Sequence, residues 1–133
     1  MKYLLMMHLP PGAREYDIFD WPPEALQAHM AHLDAINRDL AAAGELVDIE
    51  ALTPPSQARL VRAGRGGAPV TDGPFAESKE FLAGFWIIDV DAPERAHAIA
   101  ARASAAPGRD GKPLDMAIEV RQVMEGPAAR GNR

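Results

Sequence analysis

Two histidines three positions apart, His29 and His32, and a distant aspartate, Asp72, are the residues whose types suit proton transfer. Positions three apart on a helix are neighbours. A helical wheel anchored on Leu33 puts His29 inside the apolar arc and His32 at its edge. An edge position suits a group that must meet both a core-derived partner and solvent. Paired with Asp72, His32 would act as an acid–base group, the carboxylate fixing its tautomer and raising its basicity. His29, Lys79 and Glu80 would then contact the substrate. Each residue also has a plainer role. His32 suits an amphipathic boundary, His29 a hydrogen-bonded semi-core site, and Asp72 a turn, while Lys79 and Glu80 suit a loop-closing salt bridge. His29, His32 and Asp72 are acceptable metal ligands by type, but helical zinc pairs usually sit at i, i+4. No metal and no cofactor are therefore expected. His8, at a strand end, could face the same cleft, and His97 reads as a surface residue. Gly64-Arg65-Gly66-Gly67 lacks the Lys-Ser/Thr of a phosphate loop and precedes no helix, so it reads as a hairpin turn.

The elements that must position these groups follow from pattern and punctuation. Tyr3 to Leu9 is an apolar run stopped by Pro10-Pro11-Gly12, which predicts a strand buried on both faces. Pro22-Pro23-Glu24 opens a helix, Leu26, Met30, Leu33, Ile36 and Leu40 give it an apolar stripe, and Gly44 ends it. Glu45 to Leu52 reads as a second strand. Gln57 to Arg62 and Ala68 to Thr71 read as an exposed hairpin. Asp72 opens a loop in which Gly73-Pro74 forces a turn, so the loop is expected to be rigid, and a core strand follows from Leu82 to Val90. Asp91-Ala92-Pro93-Glu94 has capping-box spacing before a short helix lined by Ala96, Ile99, Ala100 and Ala103. A Gly/Pro-rich loop from Ala105 to Pro113 precedes a last strand, alternating from Leu114 to Arg121. The unit spans 1–125, and 126–133 reads as a flexible tail.

The order β-α-β-(hairpin)-β-α-β predicts an α+β, ferredoxin-like β-α-β-β-α-β sandwich with an inserted hairpin. On the core strand, Phe81, Ala83, Phe85 and Ile87 point one way and Leu82, Gly84, Trp86 and Ile88 the other. Leu4 and Met6 likewise oppose Tyr3, Leu5 and Met7. Two helices cover only one face, and each large side chain left wet forfeits roughly 1.5–3 kcal/mol. A second copy packed sheet to sheet is the expected lid, over Trp86 and its neighbours.

The net charge of −5 offers no basic footprint for nucleic acid. The chain has no cysteine, which excludes disulfides and thiolate chemistry and suits a reducing compartment. No apolar run approaches the ~20 residues of a membrane span, and the opening segment is too short for a signal peptide. A cytoplasmic, single-domain protein is expected.

Asp72-Gly73-Pro74-Phe75, with Glu77-Ser78-Lys79-Glu80 and Gly84-Phe85-Trp86-Ile87-Ile88-Asp89-Val90, resembles the DGPF-domain family within the YCII-like group. Met1-Lys2-Tyr3, Asn37 with Leu40 before Ala43-Gly44, and Ile118-Glu119-Val120-Arg121 extend the resemblance to about residue 125. The resemblance implies a dimeric α+β barrel. It also implies a proposed His–Asp active site, matched here by His32-Leu33 and Asp72. The sequence departs from the pattern at Gln122, where Pro is common, and in its longer Gly108-Arg109-Asp110-Gly111-Lys112 loop. Two functions follow as expectations. One is cofactor-independent elimination or isomerisation of a small organic molecule. The other is a non-catalytic ligand-binding or regulatory module associated with sigma-factor-dependent transcription.

Overall fold

The computed structural model describes residues 1–9, 18–72 and 80–125, apart from the side chains of Leu9, Phe19 and Asp72. Its elements are β1 (Lys2–Leu9), α1 (Pro23–Ala42), β2 (Leu46–Ala51), β3 (Leu60–Ala63), β4 (Pro69–Asp72), β5 (Phe81–Asp89), α2 (Pro93–Ser104) and β6 (Ile118–Gln122). Antiparallel pairing builds a four-stranded sheet in the order β2-β5-β1-β6, while β3 and β4 form a separate ribbon. With the ribbon set aside, the chain runs β-α-β-β-α-β with its first and third strands at the centre. This is the expected ferredoxin-like α+β fold. The tail from 126 lies outside the described residues.

α1 begins where Pro23 supplies a pre-set φ at a position that needs no N–H partner. It stops at Gly44, whose φ of +71° only glycine adopts without strain. There the Glu45 N–H donates to the Leu40 carbonyl and the Gly44 N–H to Ala41, a closed C-terminal cap. α2 starts differently from the expectation. Ala92, extended and without a side-chain cap, is its N-cap, and Pro93 occupies the first turn. Asp91 therefore stands one residue too early to cap.

The last strand also begins later than the alternation suggests. The Leu114 N–H donates to the Ala106 carbonyl, the Asp115 N–H donates to Ser104, and Asp115 takes a φ of +54°. Those bonds hold Leu114 to Ala117 against the end of α2, leaving only Ile118 onward to pair with β1.

Tyr3, Leu5, Trp86 and Ile88 face the helices and pack with Ile36 and Leu40 of α1 and Ile99 and Ala103 of α2. Trp86 is 2% exposed, and its indole Nε1–H donates to Asn37 Oδ1 at 2.9 Å. Trp86 is thus roofed by its own chain, which corrects its expected place beneath a second copy. The other sheet face carries Leu4, Met6, Phe85 and Ile87, all half-buried, along the two central strands. Asp48 and Glu50 on β2 and Glu119 and Arg121 on β6 flank that stripe.

Candidate functional site

The first half of α1 and the sheet leave a gap at this end of the strands. β1 is irregular between Met7 and His8, opposite Gly84 and Leu82 of β5. A cavity of about 270 Å³ opens there. His29, Met30 and Leu33 of α1 form one wall, and Ile49, Gly84 and Trp86 of the sheet form the opposite one. The segment Leu52-Thr53-Pro54-Pro55 closes the side, and no lysine or arginine is among the lining residues.

His29 is the polar ring in this wall, and it is 1% exposed. Its Nδ1 lies 2.9 Å from the Pro107 carbonyl oxygen, which can only accept, so Nδ1 carries the hydrogen. The Trp21 ring meets the imidazole edge-on, with centroids 5.2 Å apart and planes at 86°. Two loops therefore hold His29. One precedes α1, and the other follows α2.

His32 lies one turn along and has a different surrounding. Its Nε2 donates to the Arg102 carbonyl at 2.7 Å, satisfying one of the last carbonyls of α2. Arg102 in turn pairs with Asp39 of α1 at 2.8 Å. His32 joins the two helices and is not among the cavity-lining residues. The wheel's distinction between the two rings, one inside and one at the edge, agrees with their burial.

Asp72 ends β4 opposite Leu60, and its side chain lies outside the described residues, as does all of Lys79. Glu80 is exposed and lines a second cavity of about 410 Å³ that shares Leu52, Thr53, Pro55 and Leu82 with the first. His8 faces away from the helices and bonds Glu119 at 3.1 Å. His97 is exposed.

The sequence reading did not single out Leu52 to Pro55 as a cavity wall. A double proline beside a strand end was the available signal. It also missed Pro107 as the acceptor that orients His29, because a carbonyl contact leaves no trace in residue type.

The sequence pattern of the YCII-related domain matches residues 1–112. The chain belongs to the YCII-related domain family. An uncharacterized protein of Rhizobium meliloti (strain 1021) is 41% identical over 69 residues, which cover 52% of this chain and 56% of that protein. The match thus spans little more than half the relative's length. Among the described residues of this YCII-related chain, no group of three or more His, Asp or Glu could hold a metal ion. No helix among them is long and apolar enough to cross a membrane.

Proposed function

We propose that the cavity beneath α1 binds a small, neutral, largely apolar organic molecule. The protein carries out cofactor-independent acid–base chemistry on it, an elimination or an isomerisation. A buried imidazole in an apolar wall, with its Nδ1 committed to the Pro107 carbonyl, is the observation that carries this reading. This reading moves the proton-transfer role from His32 to His29, because His29 lines the cavity and His32 caps α2. In this reading the Pro107 carbonyl takes the orienting role expected of Asp72.

An apolar cavity of roughly 150 Å³ takes benzene, so one of about 270 Å³ has room for a single ring with short substituents. Without a lysine or arginine in the lining, an anion would lack a counter-charge. The apolar stripe on the other sheet face meets a second copy of the chain in this reading, giving a homodimer through sheet faces.

The sequence contains two tryptophans, Trp21 and Trp86, one against His29 and one in the cavity wall. Their fluorescence therefore reports occupancy. Toluene and phenol are expected to shift it and raise the melting temperature, while benzoate leaves both unchanged. His29→Gln should remove base-catalysed solvent deuterium exchange into a one-ring ketone probe, and His32→Gln should retain it. Exchange that survives in His29→Gln defeats the assignment. Probe binding with no exchange in the wild type would leave a ligand-binding module.

A further inference from the structure

Among the described residues, the ribbon of β3 and β4 pairs only with itself, and all its described side chains are exposed. Leu60, Val61 and Val70 are 40%, 61% and 49% exposed, far from the usual state of aliphatic residues on a strand. A lone two-stranded hairpin is marginally stable in water and needs a surface to lie on. The register pairs Arg62 with Val70 and Leu60 with Asp72, so Leu60, Arg62 and Val70 share one face. Arg59 and Arg65 stand at the two ends of β3, and this stretch contains no acid.

The same chain carries an apolar surface bordered by acidic side chains. On the open sheet face, Met6 lies beside Phe85 and Leu4 beside Ile87. β2 borders that stripe with Asp48 opposite Ile87 and Glu50 opposite Phe85, both acids exposed.

We infer that the ribbon is a dimer arm. Leu60 and Val70 of one copy lie on the apolar stripe of the second, and Arg65 lies against its Glu50. The inference rests on the reading that the open face meets a second copy. Two-fold symmetry makes the contact reciprocal, so two arms close the assembly without leaving a free end. The arm also bears on the ligand site. The segment that leads into it supplies Leu52, Thr53, Pro55 and Ala58 to the cavity walls. Holding the arm in place fixes the cavity mouth, so occupancy and dimerisation are linked and each strengthens the other.

Sedimentation equilibrium of the full chain tests this with three variants. Val70→Asp and Arg65→Glu should each raise the dimer dissociation constant at least about tenfold, the scale of losing a central interface contact. Both positions are exposed, so folding, followed by circular dichroism, should be unchanged. Adding Glu50→Lys to Arg65→Glu should restore most of the lost affinity, which a merely structural role for the ribbon would not do. A dimer abolished by Phe85→Asp but untouched by both ribbon variants would overturn the arm while keeping the sheet-face dimer. A wild-type chain that stays monomeric at micromolar concentration would overturn both.

Discussion

His29 and His32 occupy one helix and differ in what the neighbouring chain offers them. The Pro107 carbonyl lies in the loop after α2, and the Arg102 carbonyl lies at the end of α2. In our reading that difference decides which ring meets the ligand. A third residue contact sets a pH dependence. Arg95 donates from Nε and Nη2 to both oxygens of Glu45, at distances from 2.8 to 3.3 Å, tying α2 to the start of β2. These bonds, with the guanidinium charge, hold the Glu45 carboxyl below its ordinary value of 4.5. A carboxyl depressed on folding adds stability that is complete above its unfolded value and lost as pH falls through its lower folded one. Glu45→Gln should therefore flatten the decline of melting temperature with acidification, while lowering stability slightly near neutrality. A wild-type acid limb unchanged in the variant would mean that the pair does not contribute. At this scale the sequence was half legible. The helical period separated an inside histidine from an edge one, because burial follows periodicity. Which carbonyl each ring meets depends on segments 70 or more residues away, and no local pattern encodes that.

Among the elements, the contact between β2 and β5 governs the cavity's shape. Gly84 lies where a Cβ would sit 2.8 Å from the Glu50 carbonyl oxygen, and that oxygen is backbone that cannot swing aside. Gly84→Ala must push β2 away from β5 or tilt β5, at a cost of about 1–3 kcal/mol typical of overpacking. Because Gly84 also lines the cavity, the variant should weaken toluene binding as well as lower the denaturation midpoint. Urea unfolding and a fluorescence titration read the two effects separately. A variant with wild-type stability would show that the strands separate without penalty. Strong local signals made most elements readable. The prolines before α1, Gly44 after it and the unbroken apolar run of β5 each specify one outcome. The start of β6 was not readable, because Leu114 and Met116 alternate with polar neighbours as a strand would. Their segment instead takes its backbone partners from Ala106 and Ser104. Competition between two sets of partners for the same N–H groups is a tertiary matter, invisible to alternation.

Across the whole molecule, the sheet has two apolar sides and one layer of helices. The sequence showed both sides, since alternate residues of β1 and β5 are apolar. It did not show which side the helices take, because Trp86 and Phe85 are equally suited to either. The helices take the side of Trp86, leaving Leu4, Met6, Phe85 and Ile87 as the stripe that our reading buries against a second copy. Association that buries this stripe only in the folded state must couple folding to protein concentration by mass action. The melting temperature of the wild type should therefore rise as concentration is raised from submicromolar to tens of micromolar. In Ile87→Asp, which sets a carboxylate across from Asp48 within the stripe, that dependence should vanish. The variant's melting temperature should match the wild type's at the dilute end, because Ile87 faces away from the core packed under α1 and α2. Differential scanning fluorimetry over a dilution series checks this directly. A wild-type melting temperature independent of concentration would refute the shared lid, since no association linked to folding leaves the midpoint unmoved.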